Sequence, residues 1–253
     1  MFLFSHLKRD ASFLFLFCIS ITIIVGFVMR KKSLTFLIVG MIYLIAFAVW
    51  TLLVVFVDVK HLGVNSTNIG LSSFNLWVFN HLGTNMVLYV VTDWLGLVPI
   101  LICVIFGVAG LVELNKRKSL LKVDKDIILL GIYYVIVIIL YLLFEMVVIN
   151  YRPILIDGHM ESSYPSSTTL LVLSVMPTLS FETNKRFKNK WIKIVINLFV
   201  VSFSLFMVIG RLISGVHWIS DIVGSIILSN GLFVMYLFFL SFLEKKERDN
   251  NGI

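Results

Sequence analysis

The stretch IILLGIYYVIVIILYLLFEMVVI, residues 127–149, holds one charged side chain, Glu145, in 23 residues. A helix needs about 20 predominantly apolar residues to cross the hydrocarbon core of a bilayer. In that core the backbone polar groups must bond to one another, which an α-helix achieves within a single segment. This stretch therefore predicts a transmembrane helix.

The rest of the chain has the same character. Of its 253 residues 59% are hydrophobic and only 14% are charged, which gives more apolar surface than a soluble globule can bury. The sequence predicts an all-α, polytopic membrane bundle of about seven helices. The candidate spans lie at 11–29, 33–57, 86–114, 127–149, 166–181, 192–213 and 222–242, and the span at 166–181 is the shortest.

Basic residues predict the orientation, because Lys and Arg near the ends of spans are retained in the cytoplasm. With seven spans, one side carries 16 of the 21 basic residues. They are Arg30, Lys31, Lys32, Lys116, Arg117, Lys118, Lys122, Lys125, Lys185, Arg186, Lys188, Lys190, Lys193, Lys245, Lys246 and Arg248. We therefore expect a cell-membrane protein with its N-terminus outside and its C-terminus in the cytoplasm.

The first span has an alternative interpretation. Lys8 and Arg9 before an apolar run also fit the basic region of a signal peptide. Residues 26–29 offer no clear small-x-small cleavage site, so an uncleaved span is favoured.

Charge and cysteine content argue against a nucleic-acid-binding or metal-binding protein. The net charge of +7 comes from short basic strips at helix ends, without the aromatic surface of a nucleic-acid binder, so no nucleic-acid partner is predicted. Cys18 and Cys103 both fall inside predicted spans, where they are expected to pack as small apolar side chains. No metal site or cofactor is predicted.

Residues 58–85 form the longest predicted connection. Leu71, Phe74, Val78 and Leu82 recur there at helical spacing, which predicts an interfacial helix. A lid that packs on the bundle is the favoured interpretation of this helix, and a substrate-recognition element is the alternative.

A group of polar residues lies next to the predicted outer face of the membrane. Arg211, His217 and Asp221 follow one another at intervals of six and four residues, and Arg152 lies in an earlier outer connection. If a helix begins near His217, the imidazole and the Asp221 carboxylate share one face, so the carboxylate can fix the imidazole tautomer. The other ring nitrogen would then be free to attack, with Arg211 holding an anion beside it.

These residues resemble the type-2 phosphatidic acid phosphatase family, whose motifs run Lys-x6-Arg-Pro, Pro-Ser-Gly-His and Ser-Arg-x5-His-x3-Asp. Arg152-Pro153 matches the end of the first motif, and Pro165-Ser166 matches the start of the second. Arg211, His217 and Asp221 match the third.

The resemblance implies a six-helix family core plus one extra N-terminal helix. It implies that His217 is a nucleophile that forms a phosphohistidine, that Asp221 orients it, and that Arg152, Arg211 and Ser166 hold phosphate oxygens without a metal. It divides the chain into an extra helix with a basic turn at 1–32, a lipid-phosphatase-like membrane domain at 33–242 and a cytoplasmic tail at 243–253.

The sequence departs from the family at several positions. Glu145 stands where the first motif has lysine, Ser167 and Thr168 replace the glycine and histidine of the second, and Gly210 replaces a serine in the third. Thr168 cannot protonate a leaving group, although Ser167 and Thr168 can donate hydrogen bonds to phosphate or open a helix. Glu145 is interpreted as a structural partner of an arginine, with a proton donor of raised pKa as the alternative.

The sequence therefore predicts a membrane lipid phosphatase with its site on the outer face. The substrate would be a lipid phosphate or pyrophosphate, and loss of the second-motif histidine favours a polyprenyl pyrophosphate over phosphatidic acid. A catalytically impaired relative that binds or moves phospholipids and a lipid phosphotransferase are the alternatives.

Overall fold

The computed structural model describes residues 33–119 and 123–250. Its helices are α1 (Ser33–Phe56), α2 (Ser72–Leu82), α3 (Met86–Leu95), α4 (Leu97–Arg117), α5 (Lys125–Met146), α6 (Ser167–Arg186), α7 (Lys190–Ile213) and α8 (Ile219–Asn250). A small addition to the predicted all-α fold is a pair of antiparallel strands, β1 (Lys60–His61) and β2 (Asn68–Ile69), around a 3-10 turn at Val64–Ser66. The predicted span at 11–29 and the basic residues at 8, 9 and 30–32 lie outside the described residues.

The predicted membrane bundle is confirmed. Among the described residues, five stretches are long and apolar enough to cross a membrane, at Ser33–Phe56, Met86–Arg117, Lys125–Met146, Lys190–Ile213 and Ile219–Lys246. Many large apolar side chains of α1, α4, α5 and α7 face outward, which suits contact with lipid and not with water. The second stretch consists of α3 and α4, which meet at Gly96.

The predicted span at 166–181 corresponds to α6, a helix in the centre of the bundle. Its residues from 167 to 183 are almost all buried, and they include polar side chains such as Thr178 and Glu182. These groups are satisfied within the protein, since Tyr134 bonds to Thr178 at 2.7 Å and Tyr236 donates to Glu182 at 3.1 Å. Because α6 is enclosed by other helices, it needs little lipid-facing apolar surface, which explains its weak apolar signal.

Helices α1 and α8 pack closely along their length. Gly40 of α1 lies against Met235, whose Sδ would be 2.7 Å from any Cβ at position 40. Small residues at a helix interface let the backbones approach in this way. Helix α8 continues to Asn250, so its helical structure extends into the region predicted as a cytoplasmic tail from residue 243.

The connections at one end of the bundle are joined to one another, and we call this end the site end. The loop before α2 and the connections between α2 and α3, between α5 and α6, and between α7 and α8 all meet there. Gly70 donates to Asn150 at 3.4 Å, and Asn85 donates from its backbone to the Ser214 carbonyl at 3.0 Å. At the opposite end, Asp126 forms ion pairs with Lys185 and Arg186.

The predicted interfacial helix is present as α2. Its protein-facing side carries the buried Asn75, and Phe79 packs against Trp218 with ring centroids 5.6 Å apart. Phe74 and Trp77, by contrast, are exposed. The apolar residues of α2 are therefore divided between its protein-facing and outward-facing sides. The buried residue that contacts the bundle is the polar Asn75.

Candidate active site

His217 lies in the short connection between α7 and α8 and is only 3% exposed. Gly215 opens this turn with a φ of +70°, a backbone conformation that favours glycine. A Cβ at Gly215 would also collide with the backbone of Gly83 and Thr84. The sharp turn holds the imidazole inside the protein, between the ends of two spans.

Asp221 lies in the first turn of α8 and is fixed there by the start of the helix. Helix α8 starts at Ile219, and the Asp221 carboxylate accepts a hydrogen bond from the backbone N–H of Trp218 at 2.8 Å. A third-position acid that reaches back to the N-cap amide is half of a capping box. The Ser163 hydroxyl donates to the same carboxylate oxygen, so Asp221, which is fully buried, is held from two sides.

The imidazole of His217 is held at both nitrogens. Its Nδ1 lies 3.1 Å from the Ser163 carbonyl oxygen and 3.8 Å from Asp221 Oδ2. The carbonyl is thus the nearer acceptor and favours a proton on Nδ1. Nε2 then carries the lone pair, and it faces Nη2 of Arg211 at 3.2 Å.

The pKa of His217 is lowered well below its ordinary value of 6.5. Burial is the main cause, because the charged imidazolium loses its hydration, and the positive charges of Arg152 and Arg211 add to the effect. The neutral imidazole, the form that can act as a nucleophile, is therefore favoured at neutral pH.

Arg211 is buried in the last turn of α7, with 1% of its surface exposed. Its Nη1 lies 3.6 Å from Oδ1 of Asp93. Among the described residues, its Nε and Nη1 atoms have no hydrogen-bond partner. A buried guanidinium with free donors is costly unless an anion accepts from it, so the position suits a bound oxyanion.

Arg152 lies in a hairpin-like loop between α5 and α6. Its two arms are held together by antiparallel backbone pairing at two places, between Tyr151 and Ser162 and between Ile156 and His159. Asp157 and Gly158 form the tip with φ values of 49° and 79°, typical of a tight hairpin turn.

This hairpin places Arg152 opposite Glu161, whose Oε2 lies 3.0 Å from Arg152 Nη2. Arg152 Nε also donates to the Ser162 carbonyl at 3.4 Å. Within the described part of the chain, Nη1 of Arg152 is buried without a hydrogen-bond partner.

Tyr89 of α3 brings the two arginines into one site. The guanidinium carbons of Arg211 and Arg152 lie 5.3 Å and 6.0 Å from the centre of its ring. Cations at this distance over an aromatic face are attracted to it. Two buried cations beside one ring, next to a neutral imidazole, form a site that can bind a phosphate.

The second motif opens α6. The Ser166 hydroxyl donates to Thr169 at 3.0 Å, and the Ser166 backbone N–H donates to the Asp221 carbonyl at 3.3 Å. Ser166 is the fully buried N-cap residue of α6, and its side chain makes no capping bond to the helix backbone. Ser167 is the first residue of α6 and is mostly buried. Thr168 is half-buried, and its methyl group packs towards Gly96.

Sequence comparison identifies this region. Residues 144–247, less than half of the chain, match the family model described as the PAP2 superfamily. The stretch from residue 144 to residue 247 is therefore similar to the PAP2 superfamily, and we call it the PAP2 region. This match supports the general prediction that the protein is a membrane lipid phosphatase.

Among solved structures, the chain is similar to a transmembrane PAP2 type phosphatidylglycerolphosphate phosphatase from Bacillus subtilis, with 18% identity and a TM-score of 0.41. The likeness covers 66% of this chain and 92% of that one. No curated protein matches the chain.

Within the PAP2 region, Glu145 is exposed near the end of α5 and accepts a hydrogen bond from Ser162 at 3.2 Å. The structure therefore does not bring Glu145 to an arginine as its ion-pair partner, because Glu161 pairs with Arg152 and Asp93 lies beside Arg211. Glu145 therefore lies at the edge of the site. Ser162 connects it to Arg152, because the Ser162 hydroxyl donates to Glu145 and the Ser162 carbonyl accepts from Arg152 Nε.

Gly210 of the PAP2 region has a packing explanation. A Cβ at this position would lie 2.7 Å from the methyl carbon of Thr92 in α3. Serine would force α3 away from α7. Glycine lets α3 approach, and α3 carries Tyr89 and Asp93 into the site.

Sequence reasoning missed four residues of the site. They are Tyr89, Asp93, Glu161 and Ser163, none of which belongs to the three motifs. One signal was available, because Asp157-Gly158 is a typical hairpin turn that would have aligned Glu161 and Ser162 with Arg152. The part of the chain that the structure describes holds no group of three or more His, Cys, Asp or Glu side chains that could bind a metal ion.

Proposed function

We propose that this protein is a membrane lipid phosphatase that uses His217 as its nucleophile. The observation that carries the proposal is the position of the His217 Nε2 lone pair, 3.2 Å from Arg211, beside buried guanidinium donors without hydrogen-bond partners in the described chain. A phosphate on those donors would present its phosphorus to a neutral imidazole. Positioning and electrostatic stabilisation are the main requirements of phosphoryl transfer.

In the first step, His217 Nε2 would form a bond to phosphorus while the bond from phosphorus to the leaving oxygen breaks. Arg211 and Arg152 would stabilise the charge on the equatorial oxygens. The Ser163 carbonyl and Asp221, near Nδ1, would stabilise the positive charge that develops on the imidazole. The product is a phosphohistidine and a leaving group.

In the second step, water would attack the phosphohistidine, release inorganic phosphate and regenerate neutral His217. Attack by another alcohol in place of water would make the protein a phosphotransferase. The start of α6, with Ser166, Ser167 and Thr168, would add the favourable field of a helix N-terminus to the phosphate site.

The leaving group suggests a substrate class. A lipid alkoxide, whose conjugate acid has a pKa of roughly 15, needs a positioned acid, and Thr168 cannot supply the proton. Cleaving the terminal phosphate of a lipid pyrophosphate releases a phosphate monoester that is already stable as an anion. We propose a preference for a polyprenyl pyrophosphate over phosphatidic acid, with exposed Glu145 as the alternative proton donor.

The proposed location follows from the basic residues. The site end would face the outside of the cell membrane, and the end with Lys185, Arg186 and Lys188 would face the cytoplasm. The lipid would enter from the bilayer between helices near the outer leaflet.

A non-catalytic relative that binds or moves phospholipids is the second candidate, and the altered positions Glu145 and Thr168 favour it. A binding protein, however, has no need for a neutral imidazole whose lone pair is oriented towards an arginine. The retained arrangement of Arg211, His217 and Asp221 therefore supports the enzyme.

Phosphate release by the purified protein tests the proposal. The substrates would be a panel of lipid monophosphates and pyrophosphates, offered to the wild type and to His217→Ala. His159→Ala is the matched control, because His159 is an exposed histidine on the Arg152 hairpin. We expect activity in the wild type and in the control and none in His217→Ala. Equal activity with and without His217 would refute the mechanism, and no release from any substrate would favour the binding protein.

A further inference from the structure

Both arginines of the site already face a carboxylate. Asp93 Oδ1 lies 3.6 Å from Nη1 of Arg211, and Glu161 Oε2 lies 3.0 Å from Nη2 of Arg152. Asp93 comes from α3 and Glu161 from the far strand of the hairpin. Neither residue belongs to the three motifs of the sequence.

The partners of each pair differ sharply in exposure. The side chains of Arg211 and Arg152 are 1% and 8% exposed, whereas those of Asp93 and Glu161 are 58% and 40% exposed. The cations are thus fixed inside the protein, and the carboxylates approach them from the solvent side. A displaced carboxylate would be hydrated readily, while an arginine left alone would keep a buried charge.

The two cations need negative charge in the free protein. They lie beside the same Tyr89 ring, so their charges repel, and neither is well hydrated. Each nevertheless keeps donors without a hydrogen-bond partner among the described residues, namely Nη1 of Arg152 and both Nε and Nη1 of Arg211. The carboxylates balance the charge but leave part of the hydrogen-bonding capacity available.

We propose that Asp93 and Glu161 are displaceable counter-ions that neutralise Arg211 and Arg152 in the free protein and give way to the phosphate of the substrate. The inference rests on the proposed function, because it uses the same phosphate site. A doubly charged phosphoryl group can replace both carboxylates and also use the remaining donors. A phosphodiester brings one charge, so its binding would leave part of the buried positive charge uncompensated. The two carboxylates would therefore select for terminal phosphates.

The test is the affinity of the full-length protein in detergent for inorganic phosphate, measured by calorimetry. Asp93→Asn and Glu161→Gln remove the competing charge and keep the shape. Each is expected to lower the Kd for phosphate about fivefold, the effect of roughly one kcal/mol of pairing. The double variant is expected to lower it further.

Asp157→Asn is the matched control. It removes the same charge from the exposed tip of the same hairpin, at a φ of 49° that asparagine tolerates. Its phosphate affinity should equal that of the wild type. An equal gain in this control would show that only the overall charge matters and would overturn the proposal.

Unchanged or weaker phosphate binding in Asp93→Asn and Glu161→Gln would also overturn it, because the carboxylates would then merely hold the arginines in place. A fall of kcat to background in Asp93→Asn would overturn the proposal as well, since Asp93 would then be the proton donor. Hydrolysis by the wild type is assayed separately. Tighter phosphate binding in the variants, together with no hydrolysis of any lipid phosphate, would support the counter-ions and refute the enzymatic function.

Discussion

Nε2 of His217 lies 3.2 Å from Nη2 of Arg211, and both side chains are almost completely buried. A neutral imidazole and a guanidinium are compatible at this distance only if Nε2 accepts the hydrogen bond. The contact therefore directs the lone pair of the proposed nucleophile towards the cation that would hold the phosphate.

The first prediction concerns pH. The pKa of His217 is lowered by burial and by the two arginines, so the imidazole stays neutral as the pH falls through 6.5 and becomes protonated only at lower pH. If His217 is the nucleophile, the acidic limb of kcat/KM for the free enzyme lies below pH 6.5. A pH–rate profile of the purified protein checks this. An acidic limb above pH 6.5 that belongs to His217 would contradict the buried environment described here.

Asn75 is predicted to position the site from outside the motifs. It is fully buried, its side-chain amide donates to Ser220 Oγ at 2.9 Å, and its side-chain oxygen accepts from the Ser220 backbone N–H at 3.1 Å. Asn75→Ala should leave buried groups unpaired and lower the free energy of unfolding by about 1–3 kcal/mol. Because Ser220 precedes Asp221, kcat should also fall at temperatures where the variant is folded.

Asn80→Ala provides the comparison for Asn75→Ala, since Asn80 is an exposed asparagine of the same helix. Thermal unfolding and kcat are measured for both variants. If the two behave alike, α2 does not position the start of α8.

Cysteine labelling tests the proposed orientation. In a background without Cys18 and Cys103, His159→Cys should react with an impermeant thiol reagent added to intact cells, and Lys188→Cys should react only after permeabilisation. The reason is the concentration of basic residues at the end that carries Lys188. The reverse pattern would place the site in the cytoplasm.

Thr168→His tests the substrate preference. A histidine at this position would supply the missing acid and should raise hydrolysis of a lipid monophosphate about a hundredfold. Hydrolysis of a polyprenyl pyrophosphate should rise much less, because its leaving group needs no proton. Rates for both substrates are compared in one preparation. Equal gains, or a wild-type preference for phosphatidic acid, would indicate that another group such as Glu145 already serves as the acid.

Much of the fold could be predicted from the sequence, because transmembrane helices must be long and apolar. The helices near 33–57, 127–149 and 192–213 are found close to their predicted limits. Helix α6 gave a weak signal because it is enclosed by protein and carries polar groups that bond internally. The break at Gly96 within the third predicted span depends on contacts between helices, which periodicity does not reveal.

The candidate site was only partly predictable. The spacing of Arg211, His217 and Asp221 reflects one turn and one helix start, so it is visible in the sequence. The contacts of Asp93 and Tyr89 with the arginines depend on how α3 packs against α7, beside Gly210. No local pattern encodes that contact, and the role of the Ser163 carbonyl is a backbone property that side-chain spacing cannot show.

The most direct test of the central claim is the detection of a phosphoryl group on His217. The purified protein is mixed with a lipid pyrophosphate and quenched in base, in which phosphohistidine survives, and its peptides are examined by mass spectrometry. We predict a phosphate on the peptide that contains His217, formed within one turnover and absent from His217→Ala. Turnover without phosphorylation of His217, or a phosphate on a different residue, would contradict the account.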